Sequence, residues 1–236
     1  MMEAMVQAIH TGDVDQLRRL LDADPTAVRS VIVDKKGVGR TLLHVATDWP
    51  GQFPRVAETI ESLVAAGADV NARVRFADGR QGETPLHWAA SSDDIEALDA
   101  LLNHGADIEA PGAVLTGGTP MSDAVIFAQW RAARRLLERG AKTTLTQSAA
   151  LGLLDRVQSC FVSDHPACDE ITKALWHACR GGQVETAMFL LQRGGDACWI
   201  GWDGLTPRDV ARKSGNAELV QRLAGGPLAG GSIHQL

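Results

Sequence analysis

The chain has 236 residues, 45% of them hydrophobic, which is enough to bury a sizeable core as one large domain or two small ones. Its 23 basic and 29 acidic side chains leave a net charge of −6, which argues against a nucleic-acid binder, since phosphate contacts need clustered Lys and Arg. No stretch approaches the roughly 18 consecutive apolar residues of a membrane span.

In chain order, Glu3, His10 and Asp13 interrupt any apolar N-terminal segment, so no signal peptide is expected there. Val14, Leu17, Leu20 and Leu21 alternate with Asp15, Gln16, Arg18 and Arg19, the pattern of a helix with a polar outer face. Residues 41–46 read TLLHVA and open a second helical segment, but 48–54 (DWPGQFP) carry two prolines that rule out a continuous helix. After Gly67-Ala68 comes a small basic and aromatic hairpin with Arg73, Arg75, Phe76 and Arg80. Residues 84–90 read TPLHWAA, in which Thr84 suits an N-cap and Pro85 the first helical position, where no donor is lost. Ile95, Leu98, Leu101 and Leu102 then form one apolar helix face, which Gly105 ends with a left-handed cap. Residues 119–124 (TPMSDA) and 206–211 (TPRDVA) repeat the device, and Gly-Ala pairs recur at 105–106 and 140–141.

Taking the Ala that ends each signature as an anchor gives Ala8, Ala46, Ala89, Ala124, Ser148, Ala178 and Ala211, at spacings of 38, 43, 35, 24, 30 and 33. A Gly follows four residues later at Gly12, Gly152, Gly182 and Gly215. This pattern resembles the ankyrin repeat, whose signature is T-P-L-H-x-A at a period of about 33. The resemblance implies an all-α ankyrin-repeat solenoid of about seven helix-hairpin repeats with short β-hairpin fingers, over residues 1–224, followed by a Gly-rich tail at 225–236. The Ala- and Arg-rich, compact layout looks more like a bacterial ankyrin protein than a eukaryotic one.

Ankyrin domains mostly bind proteins through a concave groove made by the fingers and the first helices, so the resemblance implies a partner-binding role. The positions after the paired small residues point into that groove, and here they include Asp48 and Trp49, Ser91 and Ser92, and Phe127. Asp93, Asp123 and Trp88 complete an acidic and aromatic patch, with Arg73, Arg75 and Phe76 on the neighbouring finger. Exposed aromatics on such a face are typical partner anchors, although Trp88 and Trp130 also fall where interhelical core is common. His44 and His87 are the signature histidines, which the resemblance assigns to holding adjacent repeats together. His177 is the least explained histidine, and a groove with Asp48, Asp93, Asp123 and His177 could do acid–base work only if those groups converge.

His165, Cys168, His177 and Cys179 lack the tight knuckles of zinc modules. Four scattered cysteines, with Cys160 and Cys198, make no disulfide framework, and buried reduced thiols are the expected state. Residues 112–118 lack the Lys-Ser/Thr of a phosphate loop. The reading is therefore a cytoplasmic, non-catalytic module that holds a protein partner, without cofactor, metal, nucleic acid or membrane. The alternative is a small-molecule binder or enzyme using Asp48, Trp88 and Asp123.

Overall fold

The computed structural model describes residues 1–224; the expected Gly-rich tail at 225–236 lies outside the described residues. The chain divides into two compact units, Met1–Lys142 and Thr143–Leu236.

The first unit holds four helix hairpins: α1 (Met2–Thr11) with α2 (Val14–Ala23), α3 (Leu42–Ala46) with α4 (Val56–Ala65), α5 (Pro85–Ser91) with α6 (Ile95–Asn103), and α7 (Pro120–Ile126) with α8 (Trp130–Glu138). They pack as two layers, in which α1, α3, α5 and α7 form one row and α2, α4, α6 and α8 the other. A hairpin this short cannot enclose its own apolar face, so stacking is what removes it from water. The anchors Ala46, Ala89 and Ala124 are wholly buried at that contact, beside Leu43, Leu63, Leu86, Leu98 and Met121. Between the first two hairpins, β1 (Ile32–Val33) pairs antiparallel with β2 (Gly39–Arg40). The second finger makes single bridges instead, Arg75 to Gln81 and Arg75 to Gly39, so the two fingers are sewn together through one residue.

The signature residues close the helix starts. Thr41, Thr84 and Thr119 sit extended as N-caps, and the side chain three residues on returns a bond to each. In the first two cases that side chain is histidine. The Thr41 and Thr84 backbone N–H groups donate to Nδ1 of His44 and His87, at 3.3 and 3.1 Å. Nδ1 is therefore the acceptor and Nε2 carries the hydrogen, which it donates to Glu83 O at 3.2 Å and Gly118 O at 3.3 Å. Those carbonyls belong to the residues just before the next capping Thr, so each histidine ties one repeat to the next.

The second unit holds α9 (Leu145–Leu151), α10 (Leu154–Ser163), α11 (Cys168–Arg180), α12 (Val184–Gln192), α13 (Pro207–Lys213) and α14 (Ala217–Ala224). Its rows are α9, α11, α13 and α10, α12, α14, around a core that includes Val157, Leu175, Trp176, Cys179, Leu190 and Leu219. Two helices depart from the common start. α9 begins three residues before its anchor Ser148 rather than four, and α11 begins ten before Ala178, with no capping Thr. Trp176 stands where the signature histidine would be, and its indole N–H donates to Leu205 O at 2.9 Å, the carbonyl before the capping Thr206.

The turn inside each hairpin needs a left-handed residue, met by Gly12, Gly152, Gly182 and Gly215 but by Asp93 (φ 53°) and Ala128 (φ 57°) in the third and fourth repeats. A left-handed conformation costs an L-residue roughly 1–2 kcal/mol that glycine does not incur. Ala128→Gly is therefore expected to stabilise the protein by about 1 kcal/mol, read as a higher urea midpoint; an unchanged or lower midpoint contradicts it.

Burial drives the pKa of His44 and His87 down to about 4. The folded chain refuses a proton that the unfolded chain accepts at 6.5. Stability is then full above pH 6.5 and is lost as pH falls toward 4, on the order of 3 kcal/mol for each histidine. Melting temperature measured across that window should fall steeply, and His87→Gln, the residue type that Gln147 supplies in repeat five, should make the fall shallower. An equally steep fall in the variant would assign the pH dependence elsewhere.

Candidate partner-binding surface

Six of the residues that the sequence singles out converge in the first unit. Asp48, Trp49, Trp88, Ser91, Ser92 and Phe127, joined by Glu83 and Val114, line a depression of about 180 Å³. Trp49 stands on the Pro-rich insertion of repeat two, which delays α4 to ten residues past its anchor where the other second helices start six past theirs. That insertion is fastened to repeat three: Gln52 N–H donates to Asp94 at 2.5 Å. A side chain on Gly51 would come within 2.9 Å of Ser92 Cβ, so only glycine lets the loop approach this closely. Held there, Trp49 is 81% exposed, and Phe127 at the end of α7 is 42% exposed.

Glu83 forms part of the floor. Its carboxylate accepts the Trp88 indole N–H at 2.8 Å and the Val114 N–H at 3.0 Å. Trp88 is half-buried, edge to face with His44 at a 5.0 Å ring separation. Asp48 is paired with Arg40 at 2.6 Å and accepts the Trp49 N–H at 2.9 Å. The Ser91 hydroxyl donates back to Trp88 O, and Ser92 is almost buried.

The remaining expected residues stand elsewhere. Asp93 accepts the Ala132 N–H at 2.7 Å, capping α8 from the preceding repeat, so its carboxylate is engaged in the fold rather than offered to a partner. Asp123 is 1% exposed and lies under the surface, not on it. Arg73 donates to the carbonyls of Gly82 and Pro111, tying two fingers together. With Arg75 it lines a separate cavity of about 560 Å³ bounded by Arg29, Asp69 and Gln81. Phe76 lies under the Arg80 guanidinium, 5.2 Å from its ring centre. The sequence reading omitted Glu83 and Val114. The apolar third finger was a signal for Val114, which is 63% exposed; nothing local marks Glu83, which is placed by contacts far along the chain.

Asp48, Asp93 and Asp123 are separately occupied or buried in the first unit. His177 belongs to the second, buried against Trp176 and Trp202, with its pKa lowered by burial to about 4 and Nδ1 without a bonding partner. Cys179 is buried, its thiol pushed up to about 12 by the same cause, whereas Cys168 and Cys198 are exposed. Among the described residues no three His, Cys, Asp or Glu are grouped to hold a metal. Trp202 at the last finger is 48% exposed.

Asp123 is the unusual group beneath the surface. Desolvation, then the adjoining Glu83 charge, then the hydrogen bond that the protonated acid donates to Glu83, push its pKa up to about 8. The folded chain thus holds a proton that the unfolded chain loses near 3.8, so stability falls as pH rises through 4 to 8 and the full cost remains above that. Asp123→Asn should melt higher than the wild type by a margin that grows from pH 5 to pH 9. A margin that is constant or shrinks would mean the group is ionised in the fold.

A family model described as ankyrin repeats (3 copies) matches residues 55–147. Rabankyrin-5 of Mus musculus is 26% identical over 200 residues, covering 84% of this chain but 14% of that protein. Protein PhlB of Serratia liquefaciens is 37% identical over 143 residues, 61% of this chain and 56% of that protein. The chain thus matches only part of either relative. In three dimensions it is similar to the crystal structure of the human ASB11 ankyrin repeat domain, at a TM-score of 0.54 and 20% identity over 93% of this chain and 96% of that one. With the signature, the histidine-tied caps and the paired-helix fold in agreement, residues 55–147 carry ankyrin repeats and the chain has the ankyrin-repeat fold.

Proposed function

We propose that the chain is a non-catalytic protein-interaction module that holds its partner on the Trp49–Phe127 surface, flanked by the finger carrying Arg75 and Phe76. Ankyrin repeats in general mediate protein–protein interaction, and the observation that carries the reading here is Trp49. A tryptophan 81% exposed on a loop fastened by Gln52 and Gly51 is an ordered aromatic anchor. Rigid anchors of this kind dominate protein interfaces because little conformational freedom is lost on binding. The depression is smaller than the roughly 300–1,000 Å³ of small-molecule sites, which favours a protein side chain over a metabolite or substrate. We place the protein in the cytoplasm, where its four unpaired cysteines stay reduced; among the described residues no helix is long and apolar enough to cross a membrane.

The test is an affinity pull-down from native lysate with wild type beside the Trp49→Ala, Phe127→Ala double variant. Both side chains are exposed, so the variant should melt close to the wild type. A protein held by the wild type and lost by the variant is the expected result. Equal recovery from both, or no specific protein from either, would sink the reading.

A further inference from the structure

We propose that the depression receives the ammonium group of a lysine side chain of the partner, seated on Glu83 between Trp49, Trp88 and Phe127. This rests on the Trp49–Phe127 surface being the binding face, and adds the chemistry of what enters it.

The charges decide the sign of the occupant. Asp48 is already neutralised by Arg40. Glu83 is not: its bonds come from two neutral N–H groups, and among the described residues it pairs with no cation. A half-buried carboxylate with neutral donors only is an uncompensated negative charge at the floor of a shallow site. Next to it lies a second carboxyl, Asp123, fully buried and hydrogen-bonded as the neutral acid to the Glu83 carboxylate. With Asp123 protonated, Glu83 carries the one negative charge of that pair, which a cation neutralises and an anion or neutral group does not.

The walls select among cations. Trp49, Trp88 and Phe127 line the depression, and aromatic rings attract a positive charge most where it is desolvated. Each Glu83 oxygen already accepts one N–H, which leaves a single lone pair on each. A point-like ammonium on a slender alkyl stem suits the remaining lone pairs. The volume of about 180 Å³ has room for one side chain end and not for a cofactor.

The probe is Nα-acetyl-lysine N-methylamide, titrated into 15N-labelled protein while the indole N–H resonances are followed. Its norleucine counterpart, with the same chain length and no charge, is the control. The Trp49 and Trp88 signals should shift saturably with the lysine compound and not with norleucine, and Glu83→Gln should weaken the binding roughly tenfold. Equal shifts with norleucine, an arginine analogue binding as tightly, or an unaltered Glu83→Gln affinity would each overturn the proposal. Should Glu83→Gln unfold, the lysine–norleucine comparison on the wild type decides alone. In the pull-down, a partner lost by Trp49→Ala, Phe127→Ala yet retained by folded Glu83→Gln leaves the binding face standing and overturns the lysine site; loss by both supports it.

Discussion

The peptide carbonyl just before each capping threonine is where the structure is tied together. His44 reaches forward to Glu83 O, His87 to Gly118 O, and Trp176 to Leu205 O. Each bond is part-buried and joins one repeat to the next, a contribution of about 0.5–1.5 kcal/mol apiece. The first of these also sets the candidate site. Glu83 is held at its carbonyl by His44 and at its carboxylate by Trp88 and Val114. A residue held at both ends keeps its charge in one place, and a preorganised charge loses little freedom when a ligand arrives. Stacking and the candidate site therefore share one residue.

A pair of adjacent aspartates shows how the remaining geometry is fixed. Asp94 caps its own helix α6 through Ala97 N–H and also receives Gln52 N–H from the insertion of repeat two. Asp93 turns the other way and caps α8 of repeat four. Two neighbouring carboxylates thus couple three consecutive repeats, and they do so on the side where Trp49 and Phe127 emerge. Gln129, the residue at the N-cap position of α8, makes no side-chain cap of its own. Instead it donates to Ser91 O at 2.8 Å, back toward α5. The exchange explains why Asp93 is unavailable to a partner even though its position along the chain suggested it.

What could be read from the sequence divides along the range of the interaction. Periodicity placed the anchors well, because small residues wholly buried between stacked helices leave a regular mark. The Gly four residues past an anchor marked each left-handed turn it occupies. Local patterns failed where one residue type substitutes for another in the same job. Trp176 performs the histidine's task with an indole N–H, and nothing in the TPLH signature announces that. The long α11 lacks the capping threonine, so its start was equally hidden. At the site, Asp48, Trp49, Trp88, Ser91, Ser92 and Phe127 share the register that faces one side, and they do come together. Asp123 shares it too, but its burial depends on Glu83 and the third finger, which only the folded contacts bring alongside.

Several exceptions to good local design lie in repeats three and four, beside others at Gln52, Arg55, His165, Asp203 and His177. Left-handed turns made without glycine at the position four past the anchor occur at Asp93 and Ala128, in repeats three and four. The exposed Phe127 directly precedes Ala128, and the buried Asp123 lies on the same helix, α7. The exposed Trp49 is pressed onto repeat three by its loop. Each feature lowers stability by an amount that a glycine, an asparagine or a polar surface residue would recover. Such departures beside one shallow depression fit the proposed binding surface, where the geometry that a partner needs would differ from the geometry that the isolated fold prefers. In the second unit the same turn position is glycine throughout, at Gly152, Gly182 and Gly215, so the departure is local to the repeats that carry the aromatic anchors.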